Sequence, residues 1–207
     1  GPRGSSVVAY MDRERVTGDL DLALIDWSRT LIIPRGGKDE VVLFQRDLPL
    51  WDRDPFEQRG GEIPDLAFIV DSSGSMQADL VRGYGPYDLL LRSIYSIFRM
   101  LEKNRKGYHM QFSVANFSSR TVFSGWHPMQ ELGKIKRALF RYQGHGTVLD
   151  TETIDRLVQE RKDNFLAFLV TDGVIANVNE VEQALDRLVE AGNHLVHFHI
   201  GPKQPVS

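Results

Sequence analysis

The sequence predicts an α/β fold, doubly wound and Rossmann-like, with a mainly parallel sheet, one antiparallel edge strand and helices on both faces. Three observations predict it. Leu66 to Val70 and Phe165 to Val170 are short continuous apolar runs, the pattern of strands buried on both sides. Between and after them lie segments whose apolar residues recur at helical spacing. Finally, only Ser118 and Ser119 separate two strand-like runs, a gap too short for a crossover helix and therefore an antiparallel hairpin.

In chain order, residues 1–60 read as an N-terminal extension leaning on a main domain at 61–207. Residues 18–33 mix apolar residues with Asp19, Asp21 and Asp26. Pro34, Arg35, Gly36, Gly37 and Lys38 form a turn signal, and residues 40–45 read as a strand. Residues 47–61, with Pro49, Pro55, Gly60 and Gly61, have the composition of a connection. Trp27, Phe44 and Trp51 are the expected packing residues of this extension.

From Asp65 onward strands and helices alternate. The strand at 65–71 ends in Asp71, Ser72, Ser73, Gly74 and Ser75, an oxygen-rich loop. Residues 88–101 place Leu90, Leu91, Ile94, Tyr95, Ile97, Phe98 and Leu101 on one helical stripe, closed by the basic residues and glycine of 104–107. Residues 108–117 are a strand and 120–123 its antiparallel partner. Residues 131–142 are a helix through Leu132, Ile135, Leu139 and Tyr142, 143–149 a loop, and 151–161 a further helix. The second buried strand, 164–171, ends in Asp172 and Gly173. A helix at 179–191 and a strand at 194–200 complete the pattern.

Composition bounds the function. The chain has 207 residues, 42% hydrophobic and 26% charged, which is ordinary for a globular protein with a real core. Its net charge of -3 argues against a general nucleic-acid binder. It has no cysteine, so disulfides and thiolate zinc sites are excluded. No apolar run approaches the roughly 20 residues that cross a bilayer, so no membrane association is expected and the expected setting is cytoplasmic.

Two buried strands end in aspartates, Asp71 and Asp172. Neighbouring strands would bring both carboxylates to one rim, where they repel unless something positive lies between them. A hard divalent cation is the simplest remedy, with Ser73, Ser75 and Thr147 as neutral oxygen donors. Thr147 sits on a loop whose Gly144 and Gly146 allow close backbone approach. Singly these residues are ordinary, since Asp caps helices and Asp-Gly makes turns. His145, His197 and His199 read as loop or structural histidines, without a carboxylate spaced to help them bind zinc.

Together, Asp71-x-Ser73-x-Ser75, Thr147 and the Asp172-Gly173 pair resemble the metal-ion-dependent adhesion site (MIDAS) of von Willebrand factor A (vWA) domains, over residues 64–200. The resemblance implies Mg²⁺, with Mn²⁺ or Ca²⁺ as alternatives, held by Asp71, Ser73, Ser75, Thr147 and Asp172. It further implies a coordination position left for a partner's carboxylate, hence a protein-binding module and not an enzyme. Members of the family usually carry one more strand and helix after the strand matching 194–200. Either the chain is a fragment or the extension fills that edge. Residues 18–37 are similar to the lead-in of vWA proteins that work beside MoxR-type AAA+ ATPases, the CoxE-like group among them, which implies an adaptor role in such an assembly. The alternatives are a Mg²⁺-dependent hydrolase or phosphotransfer enzyme, or an extracellular adhesin. No P-loop, GxSxG or HExxH supports catalysis. Replacing Asp71 or Asp172 with Ala is expected to leave the fold nearly intact, or even stabilised without metal.

Overall fold

The computed structural model describes residues 64–77, 86–103, 106–172 and 175–200, and the backbone of three strands at 6–11, 25–35 and 38–45. Side chains of those three strands, of 89, 93, 96, 100, 106 and of 198–200 are outside the description.

Among the described residues nine strands form one mixed, mostly parallel sheet. They are β1 (Ser6–Met11), β2 (Ile25–Arg35), β3 (Lys38–Gln45), β4 (Asp65–Asp71), β5 (Gln111–Phe117), β6 (Thr121–Phe123), β7 (His127–Pro128), β8 (Phe165–Thr171) and β9 (His194–Ile200). The helices are α1 (Pro86–Lys103), α2 (Leu132–Leu139), α3 (Thr151–Gln159) and α4 (Val178–Glu190). The order across the sheet is β2-β3-β1-β9-β8-β4-β5-β6, with β7 pairing β5.

The two apolar runs lie side by side, as β4 pairs parallel with β8 from Asp65 opposite Phe165 to Val70 opposite Val170. Alternation then separates their side chains onto two faces. Leu66, Phe68, Val70, Phe112, Val114, Phe168 and Val170 pack under α1 and α2. Ala67, Ile69, Ala115, Phe117, Ala167 and Leu169 pack under α3 and α4. Phe68 stacks on Phe168 across the strands, with centroids 5.6 Å apart, and meets Phe98 of α1 edge-on. Both faces are therefore dry, which is why β4 and β8 need no polar alternation.

The hairpin β5–β6 is antiparallel, as the two-serine gap requires. The sheet has more antiparallel pairing than the one edge strand expected. His127–Pro128 also bridges β5, and at the far end β2 runs antiparallel to β3. The β2–β3 hairpin turns at the Pro34-to-Lys38 signal. β1 pairs parallel with β9 along all six of its residues, so a strand from the extension lies on the edge where the family resemblance called for a later one. The contacts expected of Trp27, Phe44 and Trp51 lie outside the described residues.

Helix ends differ from the expected ones by up to three residues, and Tyr95, expected on the α1 stripe, is exposed. Residues 106–109 form a short 3-10 turn, so the strand expected from 108 begins at Gln111. α2 stops at Leu139, and Tyr142 leaves the helical stripe because its hydroxyl is drawn to the loop after β4. Asp65, at the start of β4, accepts a hydrogen bond from the Gln111 amide at 2.7 Å and pairs with Arg161, which fixes the lower end of the β4–β5 pair. Among the described residues no helix is long and apolar enough to cross a membrane.

Candidate metal centre

The chain runs from β4 to β5 on one side and returns to β8 on the other, so the strand order reverses between β4 and β8. In open α/β sheets the crevice beyond the carboxyl ends at such a reversal is where ligands bind. Asp71 closes β4 and Asp172 directly follows β8, so both acids stand at that crevice.

Four of the five expected residues form one connected chain of polar atoms. Asp71 Oδ1 accepts from the Ser73 amide at 2.8 Å, which bends the backbone back over the strand end. Ser73 Oγ lies 3.1 Å from Ser75 Oγ, and Ser75 Oγ donates to Asp172 Oδ1 at 2.8 Å. The other oxygen of Asp71, Oδ2, accepts from Thr171 Oγ1 at 2.7 Å. Thus the residue before the second aspartate orients the first. Asp71, Ser72 and Ser73 are buried, whereas Ser75 faces solvent and Asp172 is half-buried.

The fifth residue, Thr147, comes alongside by its main chain. Its carbonyl accepts from Ala176 N at 2.8 Å, which ties it to the segment following Asp172. Asn177 strengthens that tie, accepting from Leu149 N at 3.1 Å and donating to Leu149 O at 2.8 Å. The Thr147 hydroxyl makes no hydrogen bond among the described residues.

The loop 143–147 is also laced to the loop after β4. Gly74 N donates to His145 O at 3.0 Å and Gly144 N to Ser72 O at 2.8 Å. Gly144 has φ +72°, a left-handed conformation that suits glycine, and a Cβ there would come within 3.1 Å of the Tyr142 ring. At Gly146 a Cβ would stand 3.2 Å from Ser119 Oγ, which itself accepts from Gly146 N at 3.0 Å. Ser118 Oγ accepts from His145 N at 2.9 Å. The two serines read from sequence as hairpin spacers therefore also hold the threonine loop. His145 is exposed, as a loop histidine should be, and Gly173 is outside the described residues. Met76 is fully buried in the core while Gln77 is exposed, so Met76 covers the sheet.

Three residues that sequence reasoning missed complete the arrangement. Besides Thr171, Tyr142 donates its hydroxyl to Ser73 O at 3.0 Å. Partial burial first, then the nearby charges of Asp71 and Asp172, raise the Tyr142 pKa, so both carboxylates act on this phenol. Asn116, fully buried on β5, accepts from Ser72 Oγ at 2.6 Å and donates to Ala138 O at 2.9 Å and Arg141 O at 3.0 Å. It binds the loop after β4 to the end of α2. An asparagine inside the apolar run of β5 was the one available signal for it.

The donor set fits a hard dication. Among the described residues no cationic side chain pairs with Asp71, and no three His, Cys, Asp or Glu side chains gather. The centre offers two carboxylates with hydroxyls instead. With metal–oxygen bonds of about 2.1 Å, adjacent ligands of an octahedral Mg²⁺ stand about 3 Å apart. The Ser73–Ser75 and Ser75–Asp172 oxygen separations of 3.1 and 2.8 Å match such edges.

No family model and no curated protein matches the chain. Solved structures resemble it in fold. They include the pilus adhesin SpaC from Lactobacillus rhamnosus GG, at 17% identity and TM-score 0.46 over 56% of this chain and 16% of that one. The PilB minor pilin from Streptococcus sanguinis has 16% identity and TM-score 0.41, covering 69% of this chain and 35% of the pilin. The SpRpn10 VWA domain has 13% identity and TM-score 0.42, covering 70% and 91%. The chain thus spans a sixth to about a third of the first two.

Proposed function

We propose that the rim at Asp71 and Asp172 is a metal-dependent protein-binding site, occupied by Mg²⁺ or a similar divalent cation and read by a carboxylate of a partner protein. The observation that carries this reading is the connected polar run from Asp71 through the Ser73 amide, then by the Ser73 and Ser75 hydroxyls, to Asp172. A bound dication would supply a Lewis-acidic seat for the partner's acidic side chain. Ser73, Ser75 and Asp172 would hold it, Thr147 would offer a further hydroxyl, and buried Asp71 would fix the loop and add charge.

The chain's own part is positioning. Thr171 and the Ser73 amide hold both oxygens of Asp71, so that carboxylate needs no reorganisation when the site fills. Tyr142 pins the Ser73 carbonyl and leaves the Ser73 hydroxyl aimed along the rim. In this role the chain is a non-enzymatic subunit or adaptor of a larger assembly, and the likeness of residues 18–37 to partners of MoxR-type AAA+ ATPases names the assembly to try first.

Titration calorimetry tests the reading directly. Mg²⁺ should bind the wild-type chain, bind the Asp172→Asn and Ser75→Ala variants far more weakly, and leave phosphate esters unhydrolysed. Equal Mg²⁺ binding by the variants would overturn the site. Steady ester hydrolysis lost in D172N would overturn the non-enzymatic role.

A further inference from the structure

The two helical layers carry opposite charge. α1 and α2 together contain six basic and two acidic side chains, whereas α3 and α4 contain six acidic and two basic. The layers cover opposite faces of one sheet, so one helical layer is net positive and the other net negative.

Neither layer neutralises itself. Among the described residues no ion pair engages Arg92 or Arg99 of α1, Arg137 of α2 or Arg141 just after it, and all four are exposed. On the other side Glu182, Asp186 and Glu190 repeat every four residues along α4, all exposed and equally unpaired among the described residues. By contrast, the acids of α3 are partly answered, since Arg187 grips Asp155 and Arg156 grips Glu160. The unanswered acid is concentrated on α4.

The positive layer also has an apolar centre. Phe140, 52% exposed, and Tyr95, 39% exposed, lie with ring centroids 6.4 Å apart across the α1–α2 junction. Lys136 Nζ sits 4.8 Å over the Tyr95 ring. Exposed aromatics on helices that also carry exposed arginines have the composition of protein interface anchors. At the start of α4, exposed Val178 gives the acidic layer an apolar residue of its own.

We infer that the α1–α2 face is a docking surface for the α4 face of a second copy of this chain, a head-to-tail contact in which Arg92, Arg99 and Arg137 meet Glu182, Asp186 and Glu190. The occupant follows from charge complementarity, because a helical layer of opposite charge, six acidic side chains against six basic ones, belongs to the same molecule. A head-to-tail contact leaves each end free, so copies add in a row and do not close as a two-fold dimer. This surface is separate from the metal rim and works without it.

Sedimentation velocity of the full 207-residue chain in EDTA tests this apart from any metal reading. At about 20 mM salt the sedimentation coefficient should climb with protein concentration, and at about 500 mM salt, where screening shortens the Debye length to a few ångström, it should stay at the monomer value. Two charge-reversal variants, Arg99→Glu with Arg137→Glu, and Glu182→Arg with Asp186→Arg, should each weaken self-association at least about tenfold while circular dichroism shows both folded. Mixing the two variants should restore it, because the reversed α1–α2 face of one then meets the reversed α4 face of the other. A monomer at every concentration in low salt overturns the inference. So does self-association that both reversals leave intact, or failure of the mixture to recover it. Phe140→Ser should weaken the contact at constant charge. Binding of a single-stranded oligonucleotide by the basic face, with no self-association, would overturn it in favour of a nucleic-acid surface.

Discussion

Ser75 Oγ donates to Asp172 Oδ1 at 2.8 Å, across 97 positions of sequence, and so joins the loop after β4 to the end of β8. An exposed hydroxyl and a half-buried carboxylate contribute little to folding when they bond at a surface. Ser75→Ala should therefore change stability by less than about 1 kcal/mol, yet lower Mg²⁺ affinity at least about tenfold. Thermal denaturation with and without Mg²⁺ checks both halves, as the variant should lose most of the metal-dependent rise in melting temperature.

Asp71 behaves differently. It is fully buried, and both its oxygens accept hydrogen bonds. Asp71→Ala leaves the Ser73 amide and the Thr171 hydroxyl without their acceptor, and should cost about 2–4 kcal/mol even in EDTA. From the sequence this substitution is expected to leave the fold nearly intact, because a strand-end aspartate reads as a repelling charge or an ordinary helix cap. The hydrogen bonds reverse that expectation. Asp71→Asn, which keeps one carbonyl oxygen, should recover part of the loss in a urea titration. If D71A proves as stable as wild type without metal, the bonds to Ser73 and Thr171 carry no weight.

The contrast shows what the sequence could disclose. Asp71, Ser73, Ser75 and Asp172 were legible because they lie at the ends of apolar runs, and parallel strands direct their carboxyl ends to one rim. The α/β class was legible from the same runs and from helical stripes. Thr171, Asn116 and Tyr142 were not, because each acts on a residue brought near only by strand order, at separations of 100, 44 and 69 positions. No local periodicity encodes such contacts. Likewise, the turn signal at 34–38 and the strand after it could be read, but neither the strand before it nor the parallel pairing of β1 with β9 could.

Asn116 should be the most sensitive position outside the rim. It satisfies Ser72 Oγ on one side and two carbonyls at the end of α2 on the other, wholly buried. Asn116→Ala strands both carbonyls and leaves Ser72 Oγ only the Phe117 carbonyl at 3.3 Å, and should cost about 2–4 kcal/mol while weakening Mg²⁺ binding through a loosened loop. Hydrogen exchange offers the sharper measurement. The amides of 72–76 and of 138–144 should lose protection together, whereas a merely local cavity would affect β5 alone.

Asp65 and Arg161 form a largely buried pair at the opposite end of β4, where Asp65 also takes the Gln111 amide. Asp65→Ala leaves that amide without its acceptor and the partly buried guanidinium with only Asp163, at 3.3 Å, and should cost about 2–4 kcal/mol. Since this end of the strand is remote from the rim, Mg²⁺ affinity of the folded variant should equal that of wild type. A fall in affinity matching the loss in stability would show that β4 transmits strain along its length.

The alkaline limb of stability should trace to Tyr87. Burial is the main cause that raises its pKa above the ordinary 10.0, and the donated bond from Asn116 only partly opposes it. The folded state thus keeps this proton where the unfolded chain releases it. The contribution is complete below the unfolded value and is lost as pH rises past about 10 toward the folded value. Tyr87 also donates to the Leu139 carbonyl at the end of α2. Tyr87→Phe should therefore cost about 1–2 kcal/mol at neutral pH from the stranded carbonyl. The same variant should denature less steeply between about pH 10 and 12, because phenylalanine has no proton to lose. Parallel alkaline unfolding curves for the two proteins would show that another group governs that limb.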